Sequence, residues 1–296
     1  MTRYFRPGGK SRRDSLADSW WKNNKIKMTL SFRLKSGEKP PVDLPETESG
    51  AQSVLAFSMA KAGSTLLFDL LHDLAPAAGL AYFSPENAVW GRKDRKAGKV
   101  YDMSPVFRDK GYCYGGFRFY PAYDVPIIET APSILLVRDP KDMLVSNYFS
   151  NAFSHRPPTD DEESPAYQQF MKRRERIRNT DINDYVRQIV GNTQRMFASY
   201  RALLHKPTLK IFRYEDVIEQ KRPWVNEILE HFGWTVPGET VDEIIARYDL
   251  FPDAEKPDAH VRQVKPGNFR EHLNKQTVTA INAALAEDLA VLGYTR

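Results

Sequence analysis

A single cysteine, Cys113, occurs in 296 residues, which excludes an internal disulfide and any metal cluster built on cysteines. That usage favours a reducing compartment. No apolar run approaches the roughly 20 residues that a membrane-spanning helix needs. The opening "MTRYFRPGGKSRRD" lacks the apolar block of a secretory signal, so a cytoplasmic protein is expected. No internal repeat is present, and no carboxylate or histidine cluster has the spacing of metal ligands. Apolar residues are not scarce: 41% hydrophobic against 27% charged excludes wholesale disorder. The length suits one α/β domain with appendages or two small domains, and either buries a large core.

The net charge of +5 is unevenly distributed. Residues 1–40 hold 11 Lys and Arg against 3 Asp and Glu, a surplus of eight that leaves the rest of the chain at −3. The basic character belongs to an N-terminal arm, and a nucleic-acid-binding body is not implied. Within the arm, "KIKMTLSFRLK" (Lys25 to Lys35) places Ile26, Met28, Leu30, Phe32 and Leu34 on one face, the period of a half-buried strand. It reads as an edge strand or hairpin partner on the main sheet. The alternative is that its basic face, with Trp20 and Trp21 nearby, makes peripheral contact with an anionic lipid surface or acidic polymer. "SGEKPPVDLPETESG" (Ser36 to Gly50) reads as a polar, proline-rich linker. The expected division is an arm over 1–45 and a main domain over 46–296.

Beyond the arm, apolar runs alternate with helical patterns. Strands are expected at Val54 to Met59, Tyr112 to Phe119, Ile134 to Val137 and Leu209 to Phe212. Helices are expected after the first of these, from Lys141, over Ile182 to Leu204, up to about His231, over Thr240 to Tyr248 and over Lys275 to Leu292. Interleaved strands and helices require crossover connections, hence a mostly parallel sheet with ligands at the C-terminal strand ends. "SHRPPTDDEESPAY" (Ser154 to Tyr167) reads as a mobile loop near the site.

Two segments carry chemistry. In "SMAKAGSTLL" (Ser58 to Leu67) a strand turns through Gly63 into a helix. It offers an anion the backbone N–H groups of the helix start, the hydroxyls of Ser64 and Thr65, and the ammonium of Lys61. No lysine follows Gly63, so the Walker A pattern G-x-x-x-x-G-K-(S/T) of ordinary ATPases and kinases is absent. Leu66, Leu67, Leu70, Leu71 and Leu74 form that helix's buried stripe, and His72 lies off it as a surface residue. In "SILLVRDPKDMLVSNYFS" (Ser133 to Ser150) a buried strand ends at Arg138 and a helix begins at Pro140. Arg138 and Ser146 either converge on a second phosphate or, in the blander reading, Arg138 pairs with a structural carboxylate.

These residues resemble a known family. "FSMAKAGSTLL" is similar to the 5′-phosphosulfate loop of sulfotransferases that use 3′-phosphoadenosine 5′-phosphosulfate (PAPS), written strand, P-K-S-G-T-T, helix. "LLVRDPKDMLVS" resembles their 3′-phosphate motif, "LKIFRYEDV" (Leu209 to Val217) their strand ending in Y-E-D, and "VRQVKPGNFREHLN" (Val261 to Asn274) their C-terminal R-K-G-x-x-G-D-W segment. The four stand in the family's order over about residues 51–274. The resemblance implies a three-layer, P-loop-like α/β fold with a central mostly parallel sheet flanked by helices. It implies that Lys61, Ala62, Gly63, Ser64 and Thr65 hold the 5′-phosphosulfate, that Arg138 and Ser146 hold the 3′-phosphate with Arg262 and the backbone around Gly267, and that Tyr214 meets the adenine. Ala60 replaces the loop proline, and Leu66 replaces a tryptophan that often stacks on adenine, so that platform is either reduced or supplied elsewhere, with Phe251 a candidate. Gln263, Val264 and Phe269 depart from the last motif.

Sulfuryl transfer is an in-line displacement dominated by positioning and charge stabilisation, like phosphoryl transfer. A lysine ahead of the glycine can meet charge as it forms on the leaving oxygen, which assigns Lys61 to catalysis. No metal is required. Cytosolic relatives use a base histidine on the strand before the 3′-phosphate strand, but "CYGGFRFYP" (Cys113 to Pro121) has none. Other branches use a glutamate shortly after the first helix, and Glu86 stands at that distance. His72 and His155 are reserves, and Arg118 is a candidate for binding an anionic acceptor. The expected reaction moves a sulfuryl group to a hydroxyl, or alternatively an amine, of a small-molecule, lipid or glycan acceptor and releases adenosine 3′,5′-bisphosphate (PAP). Tyr82, Phe83, Trp90, Tyr112, Tyr114, Phe117, Phe119 and Tyr120 either line an acceptor pocket or fill the core. "WGRKDRKAGK" (Trp90 to Lys99) and "KRRERIR" (Lys172 to Arg178) are solvated charged faces or contacts for an acidic acceptor. The rival readings are a kinase-like P-loop phosphotransferase and a non-catalytic nucleotide- or polyanion-binding module. Oligomeric state is not legible.

Overall fold

The computed structural model describes residues 27–90, 100–249 and 264–294. Its centre is a five-stranded parallel sheet in the order β5-β7-β4-β8-β9, built from β4 (Val54–Ser58), β5 (Ala81–Phe83), β7 (Tyr112–Phe117), β8 (Ser133–Val137) and β9 (Leu209–Arg213). The three inner strands β7, β4 and β8 are buried at every residue, as near-continuous apolar runs require in a sheet covered on both faces. Alternation along β4 divides the core. Leu55 and Phe57 pack with Phe117, Leu135, Phe197 and Tyr200. Val54 and Ala56 face Leu67, Leu70, Leu71, Trp224 and Ile228 from the helices opposite. This is a three-layer α/β fold.

From β4 the chain builds β5 and β7 on one side and then β8 and β9 on the other. Such a reversal opens a crevice at the C-terminal ends of the strands. The helices around it are α1 (Ser64–Ala77), α2 (Pro85–Trp90), α3 (Pro140–Phe149), α4 (Pro165–Arg178) and α5 (Ile182–Tyr200). They are followed by α6 (Tyr214–Val217), α7 (Lys221–Phe232), α8 (Gly238–Tyr248), α9 (Phe269–His272), α10 (Lys275–Ala284) and α11 (Ala286–Val291). The expected stripe of α1 is buried at Leu67, Leu70, Leu71 and Leu74, with Leu66 half-buried. Among the described residues no helix is long and apolar enough to cross a membrane.

Four local expectations are corrected. The alternating segment near the N-terminus does form a strand, β1 (Lys27–Ser31), continued by β2 (Arg33–Leu34), but β1 does not join the main sheet. It pairs antiparallel with β3 (Pro41–Pro45), inside the stretch expected to be a linker. The reason is alternation: Val42 and Leu44 are buried beside Phe32 and Leu34, while Pro41 and Pro45 sit at the strand ends, where a missing N–H is tolerated. β2 pairs with β6 (Val100–Asp102) in a second small sheet. The expected loop after Ser154 extends only to Ser164, whose hydroxyl accepts the Tyr167 N–H and starts α4. The expected C-terminal helix is broken at Leu285 into α10 and α11.

Candidate active site

The loop between β4 and α1 is pinned from both neighbouring strands. The Met59 N–H donates to the Leu136 carbonyl of β8 (3.1 Å), and the Ala60 N–H to the Arg118 carbonyl beyond β7 (3.1 Å). Lys61 and Gly63 both take left-handed backbone angles, φ 70° and 95°. A side chain at φ > 0 is strained by about 1–3 kcal/mol, so Lys61 is held there by its surroundings. Helix α1 starts at Ser64 with no acidic residue in its first turn and no side-chain cap, unlike α3, α4 and α5, which Asp139, Ser164 and Asp181 cap. Its N-terminal end thus keeps its positive field for an anion. Ser64 is buried there and Thr65 is exposed.

The second motif lies beside the first. Arg138, 6% exposed at the end of β8, places its guanidinium 4.3 Å from the Tyr214 ring centre, and its Nε is buried without a hydrogen-bond partner among the described residues. A buried guanidinium N–H left unpaired is expensive and fits a place for an anion. Tyr214 also abuts the loop: a methyl group added to Gly63 would lie 2.8 Å from its Cδ2. The Tyr214 hydroxyl donates to the Val264 carbonyl (2.8 Å), so one buried ring joins the loop, Arg138 and the C-terminal segment. Ser146 is half-buried on α3, one turn beyond Asp142.

Glu86, on α2, faces the same crevice from the β7 side. Its Oε1 accepts the Arg118 N–H (3.2 Å), and its Oε2 lies 4.0 Å from Arg118 Nη1. Burial pushes its pKa up to about 7, against the lowering effect of the Arg118 charge and of hydrogen bonds from the Arg118 and Phe119 backbone. A carboxylate poised near neutrality suits a general base. Among the described residues no group of His, Cys, Asp or Glu is placed to hold a metal ion.

The profile of the sulfotransferase domain family matches residues 129–279, just over half of the chain. The chain belongs to the sulfotransferase family. The crystal structure of mouse sulfotransferase SULT7A1 complexed with PAP is similar in fold, with a TM-score of 0.53, 15% identity, and coverage of 82% of this chain and 86% of that one. A retinol dehydratase solved with androsterone and inactive cofactor PAP aligns at a TM-score of 0.41 and 13% identity, covering 93% and 95% of the two chains. No curated protein sequence matches the chain.

Within this sulfotransferase fold, Lys61, Ala62, Gly63, Ser64, Thr65, Arg138, Tyr214 and Glu86 all follow or flank C-terminal strand ends. Gly267 (φ 83°) is brought in by Asp142, whose Oδ2 accepts the Gly267 N–H (2.7 Å) and Oδ1 the Phe269 N–H (2.9 Å). Asp142 also stands 3.7 Å from Arg138 Nη2, so it is the link between the arginine and the C-terminal segment. Glu215 plays a similar part, accepting the Asp139 N–H (2.8 Å) and the Tyr294 hydroxyl (2.8 Å). Sequence reasoning missed both; the spacing of Asp142 four residues after Arg138 was the available signal.

Arg262, Phe251 and the basic run Arg92 to Lys99 lie outside the described residues, as do Trp20, Trp21 and Ile26. Of the reserve bases, His72 touches Asp73 and the Tyr82 ring, while His155 is exposed against Phe170 of α4. Phe83, Tyr112, Tyr114 and Phe117 are core, whereas Phe119 is 56% exposed beside Arg118. A cleft of about 530 Å³ lined by Ile211, Phe212 and Trp224 lies along β9 and includes no residue of the loop.

Gly63→Ala is expected to lower stability by about 1–3 kcal/mol, because it forces an alanine into the left-handed region and against Tyr214. Thermal denaturation of the variant checks this.

Proposed function

We propose that this chain moves a sulfuryl group from PAPS to an acceptor hydroxyl, an amine being the alternative, and releases PAP. The observation that carries the reading is the adjacency of two anion sites: the uncapped loop–helix junction and the buried Arg138, bridged by Tyr214. A donor with a 5′-phosphosulfate and a 3′-phosphate has one anionic group for each, whereas a nucleoside triphosphate has no group for Arg138. The loop residues Lys61 to Thr65 would hold the 5′ end. Arg138 and Ser146, with Arg262 and the Gly267 backbone, would hold the 3′-phosphate, and Tyr214 would border the adenine.

In the reaction the acceptor oxygen attacks sulfur in line as the bond from sulfur to the 5′-phosphate oxygen breaks. Glu86 takes the acceptor proton, and Lys61 meets the negative charge that develops on the departing oxygen. No metal enters these steps. The acceptor class we favour is a metabolite, lipid or glycan precursor, met in the cytoplasm, a setting that suits a chain whose one cysteine is buried and unpaired. A screen for transfer of radiolabelled sulfate from PAPS across cell extracts, with mass spectrometry of the product, tests the reading. Labelled product formed with stoichiometric PAP supports it; no transfer to any fraction counts against it.

Arg138→Met is expected to weaken PAP binding by about 10–100-fold, the worth of a charge-assisted pair of hydrogen bonds, and to leave 5′-AMP binding unchanged. Equilibrium titration of both nucleotides distinguishes loss of the 3′-phosphate contact from general damage.

A further inference from the structure

The strand before Arg118 is irregular in a way that serves its neighbour. Leu55 of β4 pairs with Tyr114, but Phe57 pairs with Phe117, so β7 carries one extra residue across Gly115 and Gly116. Gly116 has φ 88°, and a methyl group there would strike the Ser84 side chain; one on Gly115 would lie 2.5 Å from the Tyr82 hydroxyl. The bulge therefore needs glycine at both positions and lets β5 lie close against β7. Its consequence is to aim the residue that follows Phe117.

That residue, Arg118, is engaged on three sides. Its N–H donates to Glu86 Oε1 (3.2 Å), and its carbonyl accepts the Ala60 N–H (3.1 Å) immediately before Lys61. Its guanidinium reaches back to Glu86 Oε2 (4.0 Å) while lying 5.4 Å from the Phe68 ring centre of α1. The carboxylate on one side and the donor loop on the other are thus registered to each other through one residue.

Resting on the reading of Glu86 as base, we propose that Arg118 is its positioning residue: the guanidinium fixes the carboxylate against the donor loop and sets the pH range in which it is ionised. This replaces the role of Arg118 as a binder of an anionic acceptor. Among the described residues, three tyrosines join Arg118 in the electrostatic surroundings of Glu86. They are Tyr82 from β5, Tyr123 from the loop after β7 and Tyr200 from α5, together with the backbone N–H groups of Arg118 and Phe119. The three tyrosines are held neutral by burial, with pKa values raised above the ordinary phenol value. Arg118 brings its positive charge to this carboxylate at ion-pair distance. Its charge at 4 Å opposes the desolvation that would otherwise keep Glu86 protonated, and an opposite charge at that distance is worth about one pKa unit or more.

The titration needs no acceptor. Full-length protein labelled with ¹³C at glutamate Cδ is titrated by NMR, and the resonance lost in Glu86→Gln identifies Glu86. The native carboxylate is expected to titrate near pH 7. In Arg118→Met its midpoint rises by about one unit, about a tenfold smaller ionised fraction at pH values well below the native midpoint, and in Arg118→Lys it stays within about half a unit. PAP binding within threefold of native shows that Arg118→Met is folded; if that variant fails to fold, Arg118→Gln serves for the uncharged arm. An unmoved midpoint in the uncharged variant overturns the proposal while leaving Glu86 as base. Native turnover in Glu86→Gln would instead remove the base reading itself, whatever Arg118 does to the titration.

Discussion

Glu86→Gln lowers turnover by about 10²–10⁴-fold on the acceptor found by the transfer screen, the usual contribution of a positioned general base. Glutamine keeps the shape and can still accept the Arg118 N–H, so the loss isolates the proton-accepting charge. The native rate should rise with pH and level off above about 7, because the carboxylate acts only when ionised and burial raises its pKa to about 7. Stability runs the other way. Folding raises the affinity of Glu86 for its proton, so its burial is tolerated below the unfolded value of 4.5 and becomes destabilising as pH climbs through about 7. Glu86→Gln removes that charge, and a gain of about 1–3 kcal/mol in stability is expected at pH 8, with little change at pH 4. Loss of rate together with alkaline stabilisation is the signature of a functional carboxylate held in an unfavourable place. Unfolding in urea at the two pH values reads the second half of the prediction.

Lys61→Ala is expected to reduce turnover by about 10²–10³-fold, the range for removing one preorganised group that meets charge developing in the transition state. PAP affinity should fall far less, by about tenfold, because Gly63, Ser64, the start of α1 and Arg138 still hold the two phosphates. A split of this kind, with rate lost and product binding mostly retained, places Lys61 at the breaking bond. An equal loss in both would make it an ordinary phosphate contact. The left-handed backbone at Lys61 adds a second effect. Alanine gains nothing there in strain, whereas Lys61→Gly relieves it, so the glycine variant should be equally inactive but more stable by about 1 kcal/mol. Single-turnover kinetics with thermal denaturation separates the two contributions.

How far the molecule was legible from its sequence depended on the range of the interactions involved. Strands β4, β7, β8 and β9 stood out because apolar runs between helical patterns are a local signal. β5 is only three residues long, too short for any period, and β3 was masked by the prolines at both its ends. Helix α4 escaped because it is polar almost all round, with Ile177 alone buried, so no apolar stripe announces it. The phosphate loop and Arg138 were readable because each is a short chain segment whose chemistry lies in adjacent residues. The links from Asp142 and Glu215 to the C-terminal segment were not, since Gly267, Phe269 and Tyr294 are 79 or more positions away and meet them only through the fold. Glu86 lies between these cases. Its spacing from the first helix suggested it through the family resemblance, but its contact with Arg118, 32 residues on, depends on the bulge at Gly115 and Gly116.

The central claim is that the crevice above β4 and β8 is built for a nucleotide with phosphates at both the 5′ and 3′ positions. Calorimetric titration with PAP in the presence of EDTA tests it most directly. The account predicts saturable one-to-one binding of PAP without metal, weakened 10–100-fold by Arg138→Met. Tight binding of Mg-ATP with no detectable binding of PAP would contradict it.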